Sequence, residues 1–119
     1  MDDIYDDIPY EFDPEETSYS EYEDRMLKII ENKLLDVKDL NSNEWLKLNN
    51  ACYEMMQAYK FLINASDKIG SASRAIKYSK EVLEYSEQYR HLLDDRILKD
   101  ITNIAWSILK KYRVELWLD

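Results

Sequence analysis

One glycine and two prolines stand in 119 residues, and that scarcity constrains the fold more than any motif does. Barrels and sandwiches turn the chain every ~8–12 residues, and glycine and proline supply most of those turns. This chain has no stock of them. A Gly-rich phosphate or dinucleotide loop needs glycines in register, so a chain with Gly70 alone cannot build one. The lone Cys52 excludes a disulfide framework and a multi-cysteine zinc site, and it points to a reducing cytosol. The lone His91 excludes a His-rich metal centre. No apolar run approaches the ~20 residues that span a bilayer, and the acidic start is unlike a signal peptide. What survives is a small all-α domain.

The charge of −9 is unevenly placed. Residues 1–24 hold eleven carboxylates and no Lys or Arg, whereas residues 25–119 hold fourteen acids against sixteen basic side chains. A near-neutral body therefore carries a segment of −11. Such a block repels itself, and charged tails of this kind are usually poor in aromatics. This one is not. Ile4, Tyr5, Ile8, Tyr10, Phe12, Tyr19 and Tyr22 are interleaved with the acids. Carboxylates that steer, with rings that supply buried area, suit a basic and partly apolar groove. Pro9 and Pro14 predict an extended or turned chain before about residue 15.

Four stretches carry a helical period. A first helix is expected from Ser18 or Ser20, since Ser18-x-x-Glu21 and Ser20-x-x-Glu23 both fit a capping box. Its apolar face is Tyr22, Met26, Ile29, Ile30, Leu34 and Val37. A second opens at Asn41 or Ser42, and Trp45, Leu48, Cys52, Met55, Tyr59 and Leu62 form its seam. Gly70 terminates that helix. A third is expected from Ser71 or Ser73 to about Leu93, with small residues Ala72, Ala75, Ser79 and Ser86 permitting close approach. A fourth runs from Asp94 or Asp95 to Leu116, with Lys110, Lys111 and Arg113 complementing its C-terminal dipole. The expected architecture is a four-helix bundle over 18–119 behind an acidic, aromatic, non-helical segment, 1–17. A helical repeat is not supported: Trp45-x-x-Leu48 resembles the opening of a tetratricopeptide unit, but Asn49 replaces its glycine and no ~34-residue period recurs.

Candidate chemistry is sparse. Glu87 and His91 lie one helical turn apart, yet a di-iron bundle needs further Glu and His ligands that the chain lacks. A helical ribonuclease arrangement, with Arg several residues before its His, fails because Arg90 adjoins His91. Cys52 falls on the apolar seam, as a small core residue. Lys110, Lys111, Tyr112, Arg113 and Trp117 mix basic and aromatic side chains, which nucleic-acid contacts also do, but helix-end charge explains them. Trp106 is expected as a core or interface anchor and Trp117 as the exposed indole. Tyr53, Tyr59, Tyr78, Tyr85, Tyr89 and Tyr112 exceed what a core this small should bury with satisfied hydroxyls, so some are expected on a binding surface.

These features predict a non-enzymatic interaction protein without metal or cofactor. The leading expectation is an acidic inhibitor or nucleic-acid mimic, of the kind phages and mobile elements make, acting in the host cytoplasm. Its partner would be a basic surface on a nuclease, polymerase or other nucleic-acid-binding protein. Asp2, Asp3, Asp6, Asp7, Glu11, Asp13, Glu15 and Glu16 would supply charge, with Tyr5, Tyr10 and Phe12 as anchors. Extended, the segment offers a charge every ~7 Å against ~3.4 Å per phosphate along one DNA strand. No direct nucleic-acid or membrane contact is expected, and a homo-oligomer is compatible with the sequence. One alternative is a helical adaptor or oligomerisation module whose body is the working surface. Another is a nucleic-acid-binding regulator held off by its own acidic tail.

Overall fold

The computed structural model describes residues 10–39 and 44–113. They form an all-α bundle of four helices, with no strand among the described residues. Helix α1 spans Tyr19–Asp39, α2 Trp45–Lys68, α3 Ala72–Gln88 and α4 Asp95–Lys111, with a 3-10 turn over Arg90–Leu92 between the last two. No described helix is long and apolar enough to cross a membrane.

Helix α2 is the axis of the packing. α1 and α3 both run antiparallel to it, and α4 lies against α3 and touches α2. Its core face is correspondingly broad: Leu48, Ala51, Cys52, Met55, Met56, Ala58, Tyr59, Leu62, Ile63 and Ala65 are buried. α1 contributes Tyr22, Met26, Ile29, Ile30 and Val37. α3 packs on α2 and buries Ala75, Ser79 and Ser86, three of the small residues expected to permit close approach, together with Tyr78 and Val82. Ser79 Oγ is buried there without a hydrogen-bond partner.

Local chemistry sets most helix ends. Ser18 Oγ accepts the Glu21 amide at 3.2 Å, so the first of the two candidate caps is used. Asp94 caps α4 by accepting the Arg96 amide at 2.7 Å. After α2, Gly70 adopts φ 78°, which lets its amide bond Asp67 O (3.0 Å) and the Ser71 amide bond Ser66 O (2.9 Å). This paired closure is the Schellman arrangement that favours glycine.

Several expectations are corrected. Trp45 is 54% exposed rather than on the core seam: α2 begins there, and Leu48 is the first residue of the helix to be buried. Trp106 is 48% exposed, so it is no core residue. α3 stops at Gln88 rather than near Leu93. The tighter 3-10 turn swings Leu92 and Leu93 into the core, and the Asn49 side-chain amide donates to the Leu92 carbonyl. α4 stops at Lys111 rather than Leu116, with Arg113 at φ 56°. Asn41, Ser42, Leu116 and Trp117 lie outside the described residues.

The six tyrosines expected to crowd the core divide, with Tyr59, Tyr78 and Tyr89 buried, Tyr85 and Tyr112 half-buried and Tyr53 exposed. The bundle buries Tyr22 as well. Burial is tolerated because phenols meet acceptors. Tyr59 donates to Glu81 at 2.9 Å, Tyr78 to Glu23 at 2.6 Å, and Tyr112 to Asp67 at 2.6 Å. A buried hydroxyl is costly only when unpaired.

Candidate functional site

The described part of the acidic segment is tied to the bundle by its rings. Phe12 is buried at 4% exposure, edge-on to Tyr19 with centroids 5.9 Å apart and tilted against Tyr22 at 5.0 Å. Tyr10 meets Tyr22 edge-to-face at 5.4 Å, and the Arg25 guanidinium sits 5.2 Å over the Tyr10 ring. Tyr22 Oη donates to the Tyr10 carbonyl, and Lys68 Nζ to the Phe12 carbonyl at 3.4 Å. Burial, then the neighbouring Tyr10 and Glu11, push the Tyr22 phenol above its ordinary pKa, so it stays a donor.

Pro14 then turns the chain. Asp13 accepts the Glu15 amide on its side chain at 3.0 Å, and its carbonyl accepts the Glu16 amide at 3.0 Å and the Thr17 amide at 3.2 Å. Thr17 Oγ1 donates to Glu21 at 3.0 Å and leads into the Ser18 cap. Glu11, Asp13, Glu15 and Glu16 all remain exposed on this turn, and exposed Glu21 and Asp24 continue the acidic surface onto α1. Residues 10–24 contain no basic side chain.

Behind this surface Glu23 ties α1 to α3, and Tyr19 carries the network on to α2. Its carboxylate accepts Tyr19 Oη at 3.1 Å, Arg74 Nε at 2.9 Å and Tyr78 Oη at 2.6 Å, while the Tyr19 and Ser66 hydroxyls share a hydrogen bond of 2.7 Å. Burial pushes the Tyr19 phenol up to about 12. Of the predicted site residues, then, the structure brings Tyr10, Glu11, Phe12, Asp13, Glu15 and Glu16 together. It turns the rings inward and the acids outward. Asp2, Asp3, Tyr5, Asp6 and Asp7 lie outside the described residues.

Among the described residues the remaining candidates, Cys52, Glu87 and His91, lie apart on α2, α3 and the 3-10 turn. Cys52 is fully buried, and burial pushes its thiol up to about 11, away from the reactive thiolate. His91 sits in the 3-10 turn beyond α3, so the helical pairing with Glu87 is not realised, and Glu87 instead meets Arg90 at 3.4 Å. No group of three metal-ligating side chains occurs among the described residues.

Two features went unread in the sequence. Arg25 and Lys68 help hold the docked segment, from partners 15 and 56 residues away along the chain. On α4, Arg96, Lys99, Asn103, Trp106 and Lys110, with Arg113 just beyond, form an exposed stripe at alternating three- and four-residue spacing. That spacing is legible in the chain, but the stronger apolar period of Ile97, Ile101, Ala105 and Ile108 draws attention to the opposite face.

Comparison of the chain with protein-family models, curated proteins and solved structures gives no match.

Proposed function

We propose that this protein is a non-enzymatic binding protein that presents an ordered acidic face to a basic surface on a nucleic-acid-handling protein. It would thereby occupy ground that a phosphate backbone otherwise takes, as small acidic inhibitors of phage or mobile-element type do. The observation that supports this most is the division of labour at residues 10–16. Tyr10 and Phe12 are spent on the bundle, and Glu11, Asp13, Glu15 and Glu16 are left facing solvent. Held carboxylates need less ordering on binding than a loose tail does, which improves affinity and register. This shifts the role of Tyr10 and Phe12 from partner anchors to internal ones. Asp2, Asp3, Asp6 and Asp7 extend the charge in this reading, and Tyr5 is the ring left for a partner. The host cytoplasm is where such a partner would be met, and neither cofactor nor direct nucleic-acid contact is involved.

The helical-adaptor reading has one observation in its favour. Leu35 (53%), Trp45 (54%) and Leu46 (67%) are exposed near the α1–α2 connection. A single experiment separates the two. Tagged full-length protein, a Glu11→Gln/Asp13→Asn/Glu15→Gln/Glu16→Gln variant and a Trp45→Ser/Leu46→Ser variant are each incubated with native host lysate at ~0.1 M salt. The acidic-face reading expects capture of a nucleic-acid-binding protein that duplex DNA or ~0.5 M salt displaces. Neutralising the four acids should weaken capture at least about tenfold, since steering and rim charge are lost. Undiminished capture by the neutralised variant, with loss in the Trp45/Leu46 variant, would move the function to the bundle.

A further inference from the structure

The α4 stripe is the least explained surface of the molecule. Arg96, Lys99, Lys110 and Arg113 are exposed, with half-exposed Trp106 and Asn103 among them, along ~25 Å of the helix direction. No acidic residue falls on that line of the sequence. Several other basic side chains are paired: Lys33 with Glu54, Lys60 with Asp100, Arg74 with Glu23 and Lys111 with Asp67, while Lys28, Lys38 and Lys80 stand exposed and scattered over two other helices. None of the four on the stripe has an ion-pair partner among the described residues. In a chain with 25 carboxylates this is a line of four cations with an aromatic at its middle, flanked by Asp95 and Asp100 at its N-terminal end and free of acids from Thr102 to Arg113.

We infer that this stripe docks the acidic face of a second copy of the same chain. Charge complementarity is one argument, since Glu11, Asp13, Glu15 and Glu16 form an exposed surface of opposite sign. The placement of the two surfaces is the other. Neighbouring residues at the end of α2 hold them both: Lys68 binds the Phe12 carbonyl at 3.4 Å, and Asp67 binds Lys111 at 2.7 Å and Tyr112 at 2.6 Å. The acidic turn and the C-terminal half of the stripe therefore share one end of the bundle. Two copies related by a two-fold axis at that end form both contacts at once, and the assembly closes as a dimer. Trp106 supplies apolar area inside a contact otherwise made of charge. The net −9 on each copy opposes approach at long range, but at ~0.1 M salt charges beyond ~10 Å are screened and the opposed poles dominate. Dimerisation covers the face assigned above to a foreign partner, so that partner and the second copy compete for it.

The test uses purified full-length protein and sedimentation equilibrium, without any lysate, so its failure is separate from failure of the functional reading. The wild type at ~0.1 M salt should show a concentration-dependent mass rising from 14.3 kDa toward twice that value, and it should return to monomer at ~0.5 M. Lys99→Glu/Lys110→Glu and Glu15→Lys/Glu16→Lys should each be monomeric. Their equimolar mixture should dimerise again, because one contact then joins an unaltered acidic face to an unaltered stripe and the other sets the reversed residues against opposite charges, and that recovery also shows both variants to be folded. A wild type that stays monomeric at ~0.1 M salt overturns the inference, as does a mixture that stays monomeric. A single-stranded oligonucleotide bound by the wild type and the Glu15/Glu16 variant but not by the Lys99/Lys110 variant, with no dimer, would assign the stripe to nucleic acid instead.

Discussion

Glu23 shows how one residue joins the segment's sequence to the bundle's stability. A carboxylate in the first turns of α1 would ordinarily be a solvated helix-start charge, favoured by the dipole. Here two phenols and a guanidinium from two helices converge on it, and its side chain is only 15% exposed. Glu23→Ala leaves the buried Tyr78 hydroxyl without its acceptor, which should cost about 2–3 kcal/mol and lower the midpoint of thermal unfolding by roughly 10 °C or more. A shift of only a degree or two would mean that the network adds little beyond helix packing. Ser79 is the opposite case, a buried hydroxyl with nothing to bond. Ser79→Ala removes an unpaired polar group and improves helix propensity, so it should raise stability by about 1 kcal/mol; urea unfolding reads this directly, and a loss of stability would show that the hydroxyl has a partner.

Among the elements, the docked turn before α1 matters most for function. Its backbone makes few regular hydrogen bonds, so its placement depends on Phe12 settling against Tyr19 and Tyr22. Phe12→Ala should cost about 3 kcal/mol, the usual range for losing a buried ring. It should also release the segment. Hydrogen exchange at Glu15, Glu16 and Thr17, whose amides are bonded to Asp13, should accelerate far more than exchange at the middle of α2. Equal protection of those amides in the variant would show that Asp13 and the Ser18 cap hold the turn without the ring. If the acidic face works by being ordered, the same variant should bind its partner more weakly with every carboxylate still in place.

For the molecule as a whole, the buried phenols set a limit at alkaline pH. Burial raises Tyr19 to about 12 and pushes Tyr22, Tyr59 and Tyr78 higher still, with the carboxylates Glu23 and Glu81 adding to the shifts at Tyr19, Tyr59 and Tyr78. A phenol whose pKa is raised on folding contributes stability that is complete below its ordinary value of 10.0. That contribution drains away as pH climbs toward and through the folded value. Circular dichroism should therefore show cooperative loss of helix above pH 10, with phenolate absorbance rising in the same transition. Phenolate forming at pH 10 with the helix signal intact would contradict the burial. At the acid end the sign reverses for Asp67. Burial works against its charge, but hydrogen bonds from Lys111 and Tyr112 outweigh it and hold the carboxyl below 3.8. The α2–α4 contact it makes is thus present at neutral pH and lost only as pH falls below that value.

What the sequence determined by itself is what local chemistry decides. The single glycine ruled out turn-rich folds, and helix signals at Ser18, Gly70 and Asp94 placed three element ends where the structure has them. The 3-4 periodicity identified most of the core. The tertiary structure decided which apolar residues are covered, because that depends on which helix lies over which face. Trp45 and Trp106 carry the same periodic signal as buried neighbours, yet α2 begins at one and the other stays half-exposed among the described residues. Phe12, among acids and beside a proline, reads as a solvent-side anchor until Tyr19 and Tyr22 give it a place to settle. Tyr59 and Tyr78 stay inside for a related reason: their carboxylate partners, Glu81 and Glu23, come from other helices, and residue spacing along one helix carries no record of them.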